Sequence, residues 1–452
     1  NSNFTSVVHS ELTEARRRAA AAMSEAAPPL LSAHPLRALV DEKLTVRVDN
    51  LRPGCPVTIR SLHHSEDQDF WEAYGHYVSD QRGSVSVSED ASVGGTYTGI
   101  EPMGLLWSMR PVPGSRTGLR LRKLNVCTPM EVNISVYSGH QDFRDQPPLA
   151  SVLAERWYMA PGVQRINVSV KEVRGTLFIP PGPGPFPGML DLWGGGGGLI
   201  EYRSALLASH GYATLALEYI KGEEMQAAPR SLVLEYFEAA FDIVKAHPLV
   251  RADRVGIIGL SFGSIVALSL AAESICAKPR CIICISNIHV TPPGKDLGQF
   301  NQMFPRQVKM IRVDESNSQV WRDASLPLIN IPSLKVKVGK ISCPVMLVNG
   351  SDDQNWPAVE TAADIEKMMQ AAGNEHLLTR LDYPDAGHLI EPPFTPHFRA
   401  TNFILQTTKE KVVLLWGGQT KPHADAQEDS WRKMLSFLQQ HLYCSPAHIA
   451  KL

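Results

Sequence analysis

The chain has 452 residues, which is enough for two or more domains with separate cores. With 44% hydrophobic residues, 20% charged residues and a formal net charge of −2, its composition is that of an ordinary globular protein, and we expect no nucleic-acid partner. Its apolar runs are shorter than the roughly 18 residues that a membrane span needs, so we expect no spanning helix.

The cysteines favour a reducing compartment over a disulfide framework. Their number, seven, is odd, and several lie within apolar runs. Cys281 and Cys284 form a C-x-x-C pair without a second pair, so we interpret them as core residues, with a metal or redox site as the minor alternative. We expect neither a metal nor an organic cofactor.

The first part of the chain predicts an all-β domain. We expect residues 1–34 to be a poorly ordered extension and residues 35–165 to form an antiparallel β-sandwich. Short segments there alternate with period two, and turn signals separate them without intervening helices. The clearest segments are Leu44–Val48, Val57–Ile59, Val85–Val87 and Val132–Val136, and Ile166–Val170, directly after this region, shows the same alternation.

From about residue 173, buried strands alternate with helices, which predicts a doubly wound, mostly parallel sheet over residues 166–445. The predicted strands are Met189–Trp193, Ala213–Leu217, Val255–Leu260, Cys281–Ile285, Val345–Val348 and Leu377–Leu381. Helices are predicted over Tyr202–His210 and Leu232–Ala246. Residues 287–335 lack periodicity and form either a cap over an active site or a surface loop.

A glycine-rich run, Trp193 followed by Gly194–Gly198, comes directly after a predicted strand. A dinucleotide-binding loop is excluded by register, because Leu199 or Ile200 would occupy the place of the last required glycine. The alternative is a loop whose backbone approaches a substrate closely. We expect Gly195 or Gly196 to donate a backbone N–H to an oxyanion hole, which requires a nucleophile elsewhere in the chain.

That nucleophile is predicted at Ser261. Gly259–Gly263 reads Gly-Leu-Ser-Phe-Gly and matches G-x-S-x-G, between the strand Arg254–Ile258 and the apolar helix Ser264–Ala272. A strand, a tight turn and a helix in this order are typical of the nucleophile elbow of α/β-hydrolases. Side chains at the two glycines would collide with the neighbouring strand and helix. The N–H of Phe262 is the second expected oxyanion donor.

The acid that orients the base is expected after a later strand. Asp352 and Asp353 both follow the strand Val345–Val348. We prefer Asp353, because it lies three residues after Gly350, which leaves the loop room to turn back toward a histidine. Asp352 is then expected to order the loop.

The base is predicted at His388. It follows the next strand and completes the order Ser, Asp, His that α/β-hydrolases require. His423, before the last amphipathic helix, is the second candidate.

The C-terminal residues 446–452 are expected to be a targeting tail. Ala450-Lys451-Leu452 is a close variant of the peroxisomal S-K-L signal, so we expect an import receptor as a partner and a peroxisomal location, with the cytosol or mitochondrion as alternatives.

With these residues in place, the chain resembles the type I acyl-CoA thioesterases and the related bile acid-CoA:amino acid N-acyltransferases. The matching stretches span most of the sequence. They are Gly99–Trp107, Val173–Leu177, Gly184–Gly188, Gly197–Arg203, Asp352–Trp356, Gly387–Pro393 and Trp416–Gly418.

The resemblance implies an N-terminal sandwich of immunoglobulin-like type before an α/β-hydrolase domain, with the triad on Ser261, Asp353 and His388. The thioesterases of this family usually carry a lysine directly after the serine, where this chain has Phe262. A backbone donor does not depend on the side chain, so the oxyanion hole is expected to persist, whereas acyl or CoA preference can differ.

The two branches of the family differ in what attacks the acyl-enzyme. The conjugating enzymes use cysteine, whose acyl-enzyme is a thioester that reacts readily with amines. A serine ester is suited to attack by water that a histidine activates, so Ser261 favours hydrolysis of long-chain acyl-CoA to free acid and CoA-SH. The alternatives are amino acid N-acyl transfer, a general carboxylesterase, and an acyl-CoA-binding protein without activity.

A cluster of cations, Arg116, Arg120, Arg122 and Lys123, has two interpretations. It could bind the phosphates of CoA, but we favour a solvated strand edge.

Overall fold

The computed structural model of the chain describes residues 27–196, 198–219, 233–297, 299, 308–405 and 410–444. The expected extension up to residue 26 and the expected targeting tail with Ala450-Lys451-Leu452 lie outside these residues. The import signal and its receptor therefore stay predictions.

Before residue 160 the described residues form nine strands in two sheets. The strands are β1 (Leu30–His34), β2 (Arg37–Leu39), β3 (Thr45–Asp49), β4 (Pro56–His64), β5 (Phe70–Val78), β6 (Val85–Ser86), β7 (Arg110–Pro111), β8 (Met130–Ser138) and β9 (Ala150–Trp157). One sheet has the order β1-β3-β6 and the other β2-β9-β8-β4-β5-β7. Alternate residues of the strands are buried, as in β3, so that both sheets contribute to one core.

The strand-rich region expected from period-two alternation is confirmed, with three differences. β1 begins at Leu30, within the segment that we expected to be poorly ordered, because Leu31 and Ala33 of this strand are buried. β2 pairs with β9 in parallel, so the region is not purely antiparallel. A short helix, α1 (Gly104–Trp107), is buried among the strands.

The second part of the chain contributes twelve described strands. They are β10 (Gln164–Val170), β11 (Val173–Ile179), β12 (Phe186–Leu192), β13 (Ala213–Glu218), β14 (Val250–Leu260), β15 (Ile282–Ile285), β16 (Arg312–Val313), β17 (Gln319–Val320), β18 (Val345–Gly350), β19 (Leu378–Tyr383), β20 (Ala400–Ile404) and β21 (Lys411–Leu415). Eight of them form a sheet of order β10-β11-β13-β12-β14-β15-β18-β19.

Helices cover the eight-stranded sheet. They are α2 (Tyr202–Ser209), α3 (Leu234–Ala246), α4 (Phe262–Glu273), α6 (Ala358–Ala372) and α7 (Thr420–Leu438), which continues into a π-helical turn, Gln439–Tyr443. The short helix α5 (Arg322–Ser325) packs instead against the neighbouring helical turns. Within this sheet, β13, β12, β14, β15, β18 and β19 run parallel. At one edge β10 pairs antiparallel with β11, and β11 pairs antiparallel with β13. This is the doubly wound α/β-hydrolase sheet that the alternating strands and helices predicted.

Two segments lie elsewhere than the pattern suggested. Ile166–Val170 alternates like the strands before it, but it belongs to β10 and pairs with β11 in the eight-stranded sheet. The segment 287–335 contributes β16, β17 and α5, and the two strands join β21 and β20 in a separate four-stranded sheet. Its role as a cap stays a prediction.

Single helical turns connect the larger elements. They are Phe143–Asp145, Pro293–Lys295, Val308–Met310, Leu326–Asn330, Pro332–Leu334, Val338–Lys340 and Glu375–Leu377. Among the helices described, none combines the length and the apolar character that crossing a bilayer requires.

Candidate active site

Ser261 lies in the turn between β14 and α4, with φ 56° and ψ −121°. A residue other than glycine is strained in this backbone conformation, which persists only where the surrounding structure enforces it. A Cβ built on Gly259 would lie 2.2 Å from the carbonyl oxygen of Gly263, and one on Gly263 would lie 2.2 Å from that of Leu192. The expectation that both flanking positions require glycine is confirmed.

Hydrogen bonds fix the backbone of this turn. The N–H of Ser261 donates to the carbonyl of Ile285 on the neighbouring strand β15 at 2.9 Å. The carbonyl of Ser261 accepts the hydroxyl of Ser264 at 2.6 Å. The serine side chain is therefore held at the end of the parallel strands, where such sheets bind ligands.

His388 connects Ser261 to Asp353. Its Nε2 is 2.9 Å from Ser261 Oγ, and its Nδ1 is 2.7 Å from Asp353 Oδ2. All three residues are buried, with exposed fractions of 7% for Ser261 and 1% for the other two. Because a carboxylate only accepts, Nδ1 carries the proton and Nε2 is free to accept one from the serine hydroxyl.

The two neighbouring aspartates have different partners. The other oxygen of Asp353, Oδ1, accepts the N–H groups of Asn355 at 2.9 Å and Trp356 at 2.8 Å. Asp352 instead accepts the N–H of Gly418 at 2.8 Å and pairs with Arg399 at 3.1 Å. The structure thus brings Asp353 to the histidine and uses Asp352 to order the loop.

Two tryptophans hold the imidazole of His388. The ring of Trp416 stacks on it at a centroid distance of 5.5 Å, and the ring of Trp356 meets it edge-on at 5.6 Å. Trp416 also accepts the N–H of His388 at its carbonyl, at 2.9 Å. Sequence reasoning placed neither ring at the site, although both lie in stretches that carry the family resemblance.

His423 supports the loop of His388 and does not approach the serine. Its Nδ1 accepts the N–H of Gly387 at 3.0 Å, and its Nε2 donates to the carbonyl of Leu389 at 2.8 Å. Burial, followed by the nearby ring of His397, lowers the pKa of His423 to about 3. It is therefore neutral at physiological pH, and the structure excludes this second candidate from contact with Ser261.

The glycine-rich loop lies beside the nucleophile. A Cβ built on Gly194 would be 3.4 Å from the Cβ of Ser261, and one on Gly195 would be 3.8 Å from the Cβ of Phe262. Gly196 faces the ring of Phe403 instead, at 3.7 Å. Of the two expected glycines, Gly195 is thus the one beside Phe262, and Gly194, which lies nearest to the serine, was missed.

Tyr219, directly after β13, contacts both the glycine-rich loop and the residue that follows Ser261. Its hydroxyl donates to the carbonyl of Trp193, at the start of the glycine-rich loop, and its ring stacks on Phe262 at 5.9 Å. Burial raises the pKa of Tyr219 well above its ordinary value, so the hydroxyl stays protonated and able to donate.

The segment between β7 and β8 contacts the site through Arg120. Its guanidinium forms an ion pair with the buried Glu391, which lies three residues after His388, and it lies 5.9 Å from the ring centroid of Trp193. The hydroxyl of Tyr202 donates to the other oxygen of Glu391 at 2.5 Å. Arg120 therefore links the histidine loop and the glycine-rich loop to the first part of the chain.

The four expected cations do not form a solvated strand edge. They lie in the irregular segment between β7 and β8, and three of them form ion pairs: Arg116 with Asp69, Arg120 with Glu391 and Lys123 with Glu66. Lys123 is buried, with an exposed fraction of 8%. The preference for a strand edge was wrong because contacts distant in sequence cover this segment.

None of the seven cysteines forms a disulfide, and the interpretation of Cys281 and Cys284 as core residues is confirmed by their complete burial. Within the part of the chain that the structure describes, no cluster of histidine, cysteine, aspartate or glutamate could hold a metal ion.

Two family models match the chain. The acyl-CoA thioester hydrolase/BAAT N-terminal region matches residues 41–170, and the BAAT / acyl-CoA thioester hydrolase C-terminal model matches residues 232–444. Three proteins of Mus musculus are each 35% identical to this chain. Acyl-coenzyme A thioesterase 1 aligns with 92% of this chain and 97% of its own, and bile acid-CoA:amino acid N-acyltransferase with 91% and 97%. Peroxisomal succinyl-coenzyme A thioesterase aligns with 90% of this chain and 95% of its own.

Proposed function

Since the chain belongs to the family of acyl-CoA thioester hydrolases and bile acid-CoA:amino acid N-acyltransferases, we propose that it hydrolyses acyl-CoA to the free acid and CoA-SH, with Ser261 as the nucleophile. The observation that chiefly supports this proposal is the 2.9 Å distance between Ser261 Oγ and His388 Nε2, with Asp353 on the far side of the imidazole. An activated serine requires a base and a group that orients the base.

In the first half of the proposed reaction, Ser261 Oγ attacks the thioester carbonyl while His388 Nε2 takes the hydroxyl proton. The C–S bond then breaks, the proton passes from Nε2 to the departing sulfur, and an acyl ester forms on the serine. Asp353 stabilises the imidazolium that exists between these steps. The backbone N–H groups of Phe262 and of Gly195 or Gly196 are the proposed oxyanion donors, and the proximity of Gly195 to Phe262 favours Gly195.

In the second half, His388 removes a proton from water, which attacks the ester. The bond to Ser261 Oγ breaks, and the oxygen regains its proton from His388 as the free acid leaves. The proposed steps need no metal or organic cofactor, because the nucleophile, the base and the oxyanion donors all come from the chain.

Transfer of the acyl group to an amino acid is the second candidate, favoured by the 35% identity to a bile acid-CoA:amino acid N-acyltransferase. The oxygen ester at Ser261 argues against it, since oxygen esters react with amines more slowly than thioesters do.

A peroxisomal location is proposed, with the mitochondrion or cytosol as alternatives. It is supported by the similarity to a thioesterase whose name places it in peroxisomes, and a mitochondrial thioesterase of Mus musculus is 35% identical as well. Imaging of the full chain beside markers of each compartment tests this proposal.

Thiol release from palmitoyl-CoA tests the proposed activity. We expect the wild type to release CoA-SH and Ser261→Ala to lose at least about 10⁴-fold in kcat. A protein that only binds acyl-CoA would release no thiol in either form. A carboxylesterase would cleave a p-nitrophenyl ester and leave palmitoyl-CoA intact.

A further inference from the structure

Arg122 is a half-buried arginine without a protein partner. No residue that the structure describes forms an ion pair or a hydrogen bond with its guanidinium. Arg116, Arg120 and Lys123, its neighbours in sequence, each have a carboxylate partner. A guanidinium that is partly withdrawn from water and has no carboxylate partner among the described residues is available to an anion from outside the chain.

The carboxylates near Arg122 act on it from a distance and do not pair with it. Arg120, whose positive charge acts on Arg122, pairs with Glu391. The charges of Glu391 and Asp67 also reach Arg122, but neither carboxylate forms an ion pair with it. Burial and the charge of Arg120 lower the pKa of Arg122, as expected of a cation that would gain from a bound anion.

The position of Arg122 relates it to the active site. Arg120, two residues earlier, lies over Trp193 at the start of the glycine-rich loop and pairs with Glu391 of the histidine loop. Arg122 is close enough to this contact for the charges of Glu391 and Tyr202 to act on it, and it forms no hydrogen bond with Ser261. In an acyl-CoA, the phosphates are separated from the thioester by the long pantetheine arm, so a phosphate site must likewise lie away from the nucleophile.

We propose that Arg122 binds a phosphate group of the CoA portion of the substrate. This inference rests on the proposed function. The guanidinium suits it, because its planar set of donors can bind two phosphate oxygens at once.

The test compares two thioesters of the same acyl group: palmitoyl-CoA and the palmitoyl thioester of N-acetylcysteamine, which has no phosphate. We expect Arg122→Gln to raise the KM of palmitoyl-CoA about tenfold and to leave the KM of the phosphate-free thioester unchanged. Arg122→Lys keeps the charge and should give a smaller rise. Arg116→Gln is the matched control, since Arg116 pairs with Asp69 and its side chain is 68% exposed, and we expect it to change neither KM.

Three results would overturn the proposal: no change in either KM, equal changes for both thioesters in the folded Arg122→Lys variant, or a rise that occurs with succinyl-CoA and not with palmitoyl-CoA. The last result would show that Arg122 binds a carboxylate of the acyl group.

Calorimetric binding of CoA-SH keeps this test separate from the proposed function. If the wild type cleaved no thioester, the proposed activity would be wrong, yet weaker binding of CoA-SH to Arg122→Gln would still support the phosphate site.

Discussion

Asp353 Oδ2 accepts a 2.7 Å hydrogen bond from His388 Nδ1, while the adjacent Asp352 turns away to the backbone of Gly418. Two neighbouring carboxylates in one loop thus have different tasks. The pair provides a control for the orienting acid, because the same substitution can be made at either position.

Asp353→Asn should lower kcat for palmitoyl-CoA by about 10³–10⁴-fold, because an amide no longer stabilises the imidazolium and can reverse the tautomer of His388. Asp352→Asn should have a much smaller effect on kcat and act mainly on thermal stability. Steady-state kinetics of both variants check this prediction. Equal losses of kcat would mean that the aspartates are not distinguished as the hydrogen bonds indicate.

Tyr219→Phe should lower kcat about tenfold with little change in KM, since it removes the hydroxyl that anchors Trp193 and keeps the ring that stacks on Phe262. The control is Tyr236→Phe, which removes a hydroxyl that donates at 2.5 Å to the carbonyl of Glu218 and not to the glycine-rich loop. If both variants retained wild-type kcat, the hydroxyl of Tyr219 would have no part in holding the oxyanion donors.

The elbow was predictable because its determinants are local. Gly259, Ser261 and Gly263 occupy one turn, and the steric need for both glycines follows from the geometry of any strand, tight turn and helix. Asp353 and His388 were found because the ends of consecutive parallel strands meet at one edge of the sheet.

What the sequence did not reveal depends on distant contacts. Arg120 and Glu391 are 271 residues apart, and no pattern along the chain relates them. His423 looked like a possible base, and only its hydrogen bonds to Gly387 and Leu389 show that it supports the loop from behind. Ile166–Val170 had the same alternation as the earlier strands, but it lies at the edge of the other sheet, where Val168 is buried and Ile166 and Val170 are exposed. Alternation along a strand does not tell which sheet the strand joins.

Stability should fall in acid partly because of His423. Burial holds its pKa at about 3 in the folded chain, against 6.5 for the free side chain, so the unfolded chain binds an extra proton between these values. This contribution to the free energy of unfolding is fully present above pH 6.5 and is lost as the pH falls toward 3.

His423→Gln should therefore reduce the loss of stability between pH 7 and pH 4.5 by about 2–3 kcal/mol, as measured by urea unfolding at both pH values. His376→Gln, at an exposed position, is the control and should leave the loss unchanged. The same loss in His423→Gln as in the wild type would show that His423 does not titrate as its burial implies.

Ser261→Cys should change the fate of the acyl group. The acyl-enzyme becomes a thioester, which amines attack more readily than an oxygen ester. With palmitoyl-CoA and an excess of taurine, we expect the variant to form some amide product, measured by mass spectrometry, and the wild type to form none. A variant that yields only free acid would show that the nucleophile alone does not decide between water and amine.

The central claim is that a serine acyl-enzyme formed from acyl-CoA is resolved by water. The most direct test incubates the wild-type protein with palmitoyl-CoA and with a bile acyl-CoA, with and without glycine and taurine, and follows thiol release while the products are identified by mass. We predict that thiol release yields free acid and that neither amine changes the product. An amide product would contradict the claim, because Ser261 would then support transfer, and the absence of thiol release from both substrates would refute the proposed thioesterase activity.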